Sequence, residues 1–177
     1  YCRPVCPAPP PRPHNVTYYP SAAAAAAAGY RPCLRCRPEL SPPAIAQLED
    51  DTLRRALRLI SEGLGDALSV SALAQACSIS PRQLQRIFFA RLGATPHQIH
   101  ANHRLLLAKQ LITETTLPMT EVALAAGFSS IRRFNAAFAE NCRMPPTAIR
   151  RAHGTSTTGP MRLRLCYRPP LDFPAML

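Results

Sequence analysis

Cys2-x3-Cys6 and Cys33-x2-Cys36 form two close pairs, and paired cysteines on tight turns can supply four thiolates to one tetrahedral Zn²⁺. The segment that carries them is proline-rich and poor in large apolar residues. A segment of that kind cannot bury enough surface to fold unaided, and a metal would supply the missing stability. Disulfide pairs or free thiols are the alternatives. The chain has seven cysteines, an odd number, and opens at Tyr1-Cys2-Arg3-Pro4 without an apolar signal region. Both features favour a reducing cytosol over an oxidised framework. Cys77, Cys142 and Cys166 stand alone in sequence, and Cys77 reads as a small buried residue in a helix turn.

The charge balance says what such a site would face. Lys+Arg number 21 against Asp+Glu 10, a formal net charge of +11, and the isoelectric point is near 10.1. A balance of this sign favours a polyanion, either nucleic acid or an anionic membrane surface. No apolar run approaches the roughly 20 residues of a membrane span, so nucleic acid leads and no membrane partner is expected. Lys109 is the only lysine, a preference that GC-rich coding explains as well as function does. Six acids (Glu39, Glu49, Asp50, Asp51, Glu62 and Asp66) fall between residues 39 and 66, whereas residues 1–38 and 67–113 contain none. This segregation predicts two basic surfaces separated by an acidic, solvated helix.

The elements that must position these groups read as mainly α. Residues 1–20 are irregular. Seven alanines between Ser21 and Gly29 make a short helix with a serine N-cap and a glycine stop. Pro38, Pro42 and Pro43 mark a linker over 41–49. From Asp50 the apolar periodicity is helical, with Leu53, Leu57, Ile60 and Leu64 on one face of a first helix. Helices over 70–76, 81–91, 96–113, 120–126 and 130–140 follow at short spacing, which predicts an all-α domain over 50–152. Residues 153–160 read as a flexible linker, and residues 161–168 alternate in the manner of a strand.

An internal repeat runs through the helical part. Leu73-Ala74 matches Val122-Ala123, Ile79-Ser80 matches Phe128-Ser129, and Phe88 with Pro96 matches Phe138 with Pro146. Each copy has the form of a helix-turn-helix. In the first copy Leu84, Ile87 and Phe88 should face the core, leaving Arg82, Gln83, Gln85 and Arg86 toward a DNA groove. In the second, Phe134 and Phe138 are core, and Arg132, Arg133 and Asn135 are free. Arginine suits guanine, and Gln or Asn suits adenine, although any of the seven could instead meet phosphate. His97, His100 and His103 recur at spacing three on the connecting helix and are expected on a solvated face beside the DNA backbone.

Three strings carry a family resemblance: Tyr1-Cys2-Arg3-Pro4-Val5-Cys6-Pro7, Asn15-Val16-Thr17-Tyr18-Tyr19, and Ala28-Gly29-Tyr30-Arg31-Pro32-Cys33-Leu34-Arg35-Cys36-Arg37-Pro38. They resemble the methyl-acceptor domain of the Ada family, placed here at 1–40. The resemblance implies one zinc per chain on Cys2, Cys6, Cys33 and Cys36. It also implies that Cys2 is the nucleophile, taking a methyl group irreversibly from a DNA methylphosphotriester in a single-turnover methyltransferase reaction. The family pattern has a further segment before its first cysteine, so the domain is expected to be N-terminally truncated here. Pro9 stands where the family commonly has an arginine.

The strings Pro81-Arg82-Gln83-Leu84-Gln85-Arg86-Ile87-Phe88 and Ala125-Ala126-Gly127-Phe128-Ser129-Ser130 resemble the AraC-type double helix-turn-helix. The segment from Leu163 to Phe173 resembles the opening of a 3-methyladenine DNA glycosylase domain, covering 153–177 with its linker. Together these resemblances imply DNA alkylation repair coupled to transcriptional activation. The implied partners are double-stranded DNA, through its alkylated backbone and specific promoter sites, and RNA polymerase. The implied setting is a monomer at the nucleoid of a bacterial cytoplasm. A zinc-stabilised AraC-type regulator in which Cys2 is only a ligand, and an inactive fragment of a repair fusion, remain as alternatives.

Overall fold

The computed structural model describes residues 1–3, 6–36, 38, 50–63 and 68–153. Within them a short 3-10 turn at Pro13–Asn15 precedes eight α-helices: α1 Ala22–Ala27, α2 Asp51–Glu62, α3 Val70–Ala76, α4 Pro81–Leu92, α5 Pro96–Glu114, α6 Met119–Ala125, α7 Ile131–Cys142 and α8 Pro146–His153. No strand occurs among the described residues. The expected linker at 41–49, the strand at 161–168 and the glycosylase-like opening lie outside them.

Helix starts follow side-chain chemistry. Ser21, Asp50, Ser69, Ser80, Thr95 and Ser130 each accept a hydrogen bond from a backbone N–H of the first turn, satisfying donors that have no partner inside the helix. At α5 the cap is reciprocal: Gln98 reaches back to the Thr95 backbone N–H at 2.8 Å. Prolines at the starts of α4 and α5 sit in the first turn, where the missing N–H costs nothing.

The repeat becomes two helix-turn-helix units, α3–α4 and α6–α7, strung on α5. The tight turn of each unit needs one left-handed residue, Ser78 (φ 57°) in the first and Gly127 (φ 79°) in the second. Helix α2 closes the core of the first unit, formed by Leu53, Ala56, Ile60, Leu73, Ala74, Cys77, Leu84 and Phe88. Helix α8 packs on α5 and closes the second, where Phe134 stacks between Phe128 (5.4 Å) and Phe138 (5.0 Å).

Three expectations need correction. Helix α2 is not an acidic solvated spacer: it carries Arg54, Arg55 and Arg58 against Asp51 and Glu62, and buries Leu53, Ala56 and Ile60. The expected helices stop at 140 and leave out α8, although Pro146 repeats the place of Pro96 at the start of α5. The histidine face of α5 is not solvated. His97 is exposed, but His100 is 3% exposed, with the Gly63 backbone as a hydrogen-bond partner, and His103 is half-buried. Burial pushes both imidazoles below the ordinary range for histidine, favouring the neutral form.

Phe138 is fully buried in the larger core, so Phe138→Ala should destabilise the chain by about 3–5 kcal/mol. Urea unfolding followed by circular dichroism measures this, and a loss below about 1 kcal/mol would contradict the packing described.

Candidate metal centre and nucleic-acid interface

The two cysteine pairs meet because the chain folds back on itself. The Cys6 N–H donates to the Arg3 carbonyl at 3.1 Å, closing the first turn, and the Cys33 N–H donates to the Tyr1 carbonyl at 2.9 Å, laying the second pair beside the first. Arg3 fastens them further: its N–H reaches Cys36 Sγ at 3.3 Å and its Nε donates to the Cys36 carbonyl at 2.7 Å. Between the pairs α1 stops at a left-handed Gly29, and the Tyr30 N–H caps the Ala25 carbonyl at 3.1 Å. The Tyr30 ring then meets Tyr19 at 5.5 Å.

All four Sγ atoms lie within 4.8 Å of one another. Tetrahedral Zn²⁺ with Zn–S near 2.3 Å needs sulfurs about 3.8 Å apart, so the cluster has to tighten by no more than about an ångström. The acid–base chemistry asks for a cation as well. Burial, reinforced by hydrogen bonds to Cys33 and Cys6, pushes the Cys2 thiol up to about 12. Burial also raises Cys36. At Cys33 burial is outweighed by the backbone donors of Cys36 and Arg35, which bring the thiol down to about 7. Of Cys2, Cys33 and Cys36 the protein's own groups therefore favour the thiolate only at Cys33, and a dication is what would stabilise the full set of thiolates.

The four ligands differ in access. Cys2 is exposed, Cys6 and Cys33 are partly exposed, and Cys36 is 1% exposed. Arg12, Arg31 and Arg35 lie exposed on the same lobe. Cys77 and Cys142 are buried in the helical cores, far from this chemistry in role.

The seven side chains assigned to the recognition helices are all exposed: Arg82, Gln83, Gln85 and Arg86 on α4, and Arg132, Arg133 and Asn135 on α7. Leu84, Phe88, Phe134 and Phe138 beneath them are fully buried. Ser80 and Ser130 cap the two helices and place arginines in the first turn, where neither helix has an acid. Positive charge at the positive end of a helix dipole is unfavourable in isolation and becomes favourable when a phosphate approaches that end. Sequence reasoning missed Arg3 as the residue that ties Cys36 down. It also missed Tyr1, whose hydroxyl donates to Asn102 Oδ1 on α5 at 2.8 Å.

Residues 1–39 match the metal binding domain of Ada, and residues 73–152 match a helix-turn-helix domain. Over 98% of its length the chain is 43% identical to a probable bifunctional transcriptional activator/DNA repair enzyme AlkA of Mycobacterium tuberculosis. It covers 36% of that relative, so it spans about a third of the length of the curated protein it matches. The bifunctional transcriptional activator/DNA repair enzyme Ada of Escherichia coli is 38% identical over 54% of this chain and 26% of its own. The solved DNA-binding domain of AdpA, a global transcriptional factor in complex with a target DNA, superposes with a TM-score of 0.55. It is 28% identical over 59% of this chain and 94% of its own. The chain thus joins a lobe that matches the metal binding domain of Ada, with zinc as the metal its cysteines fit, to a helical part that matches a helix-turn-helix domain.

Native mass spectrometry should show one zinc per chain, retained at neutral pH and released on acidification as protons compete for the sulfurs. Replacing Cys33 and Cys36 by serine should abolish it, and full metal retention in that double variant would exclude this ligand set.

Proposed function

We propose that the chain repairs alkylated DNA by moving a methyl group from a backbone methylphosphotriester onto Cys2, and that it binds specific promoter sites through α4 and α7 to activate transcription. The observation that carries the reading is that Cys2 is the exposed residue of a cluster in which Cys6 and Cys33 are partly exposed and Cys36 is buried. Of the four, Cys2 is the residue most open to an approaching DNA backbone.

Zinc, when bound, keeps the sulfurs as thiolates at neutral pH. The Cys2 Sγ lone pair would then attack the methyl carbon, an S–C bond forming as the bond between that carbon and the phosphotriester oxygen breaks, and the phosphodiester anion would leave with the oxygen and the electron pair. No proton moves, so no general base is required. The product is a thioether, and the reaction runs once per molecule. Cys6, Cys33 and Cys36 hold the site, and the arginines of the lobe attract the phosphate backbone. Conversion of one thiolate to a neutral sulfur takes the four-sulfur site from a formal −2 to −1 and strengthens attraction to DNA. The relatives are bifunctional, each a transcriptional activator and DNA repair enzyme by name, which supports the pairing of the two activities. The partners that follow are double-stranded DNA and, during activation, RNA polymerase, met by a monomer at the bacterial nucleoid.

After incubation with DNA carrying methylphosphotriesters, peptide mapping should find one added methyl group, on Cys2. Methyl on another cysteine would refute Cys2 as the acceptor, and none while zinc is bound would refute the transfer and leave a zinc-stabilised regulator.

Arg82→Ala or Arg132→Ala should weaken specific binding by about 1–3 kcal/mol and relax preference at one base pair if the arginine reads guanine. Equal weakening on every sequence would reassign that arginine to phosphate.

A further inference from the structure

The metal lobe and the helical domain are not independent bodies. Helix α1 lies on α5, with Ala23 and Ala24 packed against Ala94 and Ile99. Ile99 also packs on the first helix-turn-helix core. Alanine on both sides allows the backbones to approach closely.

Ser21 has two roles at this junction. Its Oγ accepts from the Ala24 N–H at 3.0 Å, starting α1, and donates to the Leu92 carbonyl at 2.7 Å. Leu92 is the last residue of α4, so the hydroxyl satisfies one of the carbonyls left open at the end of the first recognition helix. On the far side of the lobe Leu34, carried between Cys33 and Cys36, packs against the core of the second unit, and the Tyr1 hydroxyl reaches Asn102.

The repeat supplies an internal control. Five residues after the conserved-position pair Phe88 and Phe138, the helices α4 and α7 end at left-handed residues, Gly93 (φ 64°) and Arg143 (φ 53°). The backbone demand is the same, and the second unit meets it with an exposed arginine. The first cannot, because a Cβ on Gly93 would stand 2.9 Å from Pro20 Cγ and 3.3 Å from Ala24 Cβ. The difference between the two copies lies where the lobe presses on one of them.

We propose that the metal lobe is an internal brace: anchored through Leu34 on the second unit, it grips α4 by its C-terminal end and fixes the pose of the first recognition helix against α5. Metal at the cysteines orders the 33–36 turn and so seats Leu34 and α1. The consequence for DNA rests on the reading of α4 as a recognition helix, whereas the brace itself does not.

Hydrogen exchange on the full chain tests it in two ways. Removing zinc from the parent should speed exchange in the last turn of α4 and at 93–95 by about five- to tenfold, the effect of losing one or two local hydrogen bonds, with α3 unchanged. Gly93→Arg, which installs the residue that the second unit tolerates, should keep one zinc per chain yet loosen α1 and the end of α4 to a similar degree. Arg143→Gly should leave α1 as it was. In DNA binding, Gly93→Arg should lower affinity mainly at the bases read by α4. Unchanged exchange at 89–95 after zinc removal would overturn the brace, as would undisturbed α1 in Gly93→Arg. If the parent showed no specific DNA binding, the proposed function would fail while the exchange data still decided the brace.

Discussion

One helix has to be a partner to almost everything else. Helix α5 contacts α1, α2, α6 and α8, and its buried residues include Pro96, His100, Arg104, Leu105, Ala108, Lys109 and Ile112. These positions do not fall on a single stripe, which is the requirement placed on a helix buried on several sides. The burial of two cations follows. Arg104 is accommodated by stacking its guanidinium 4.1 Å from the centre of the Phe128 ring, and Lys109 is fully enclosed. The strong reciprocal cap at Thr95 and Gln98 fixes where this helix begins, and with it the spacing of both helix-turn-helix units.

The metal lobe is governed by a different constraint, charge. Four thiolates brought together repel one another, and a lobe whose helix is six alanines long offers little apolar area to offset the cost. Its order would therefore come from two external sources, a cation at the cysteines and the surface of α5. The two are coupled, because Leu34 and the Ser21–Ala24 turn touch the helical domain while the cysteines on either side are placed to hold a metal ion.

Much of this was legible in the sequence for identifiable reasons. The serine cap at Ser21 was legible, and the expected starts at 50, 81, 96 and 130 lie within a residue of the caps at Asp50, Ser80, Thr95 and Ser130, since side-chain capping is a local interaction. The apolar period of α4 and α7 sorted buried from exposed side chains correctly at Leu84, Phe88, Phe134 and Phe138. The cysteine spacing picked out the four sulfurs that converge. Illegible were the features that depend on which surfaces meet. His97, His100 and His103 looked alike in sequence, and only the approach of α2 at Gly63 separates the buried His100 from the exposed His97. Helix α8 went unread although the repeat had matched its first residue, Pro146, to Pro96 at the start of α5. The seat of the metal lobe on α5 has no periodic signature, because alanines at 23 and 24 say how closely something can approach and not what approaches.

The two lobes also share an electrostatic design. Both recognition helices begin with arginines and no acid in the first turn, an arrangement that is unfavourable in the free protein and relieved by phosphate. The metal lobe has arginines of its own but holds, at its exposed edge, a site that is formally anionic once four thiolates bind zinc. In the free state that anion compensates part of the chain's excess positive charge. Against DNA it becomes a feature of the lobe's surface with the wrong sign. In the proposed function, methyl transfer to Cys2 would remove part of that penalty at the point of contact, and the packing of the lobe on α5 and on the end of α4 would give the change a mechanical route to α4. Screening reaches only about 10 Å at 0.1 M salt, so a charge change at the metal site needs such a route, or direct contact with the same duplex, to be felt at the bases.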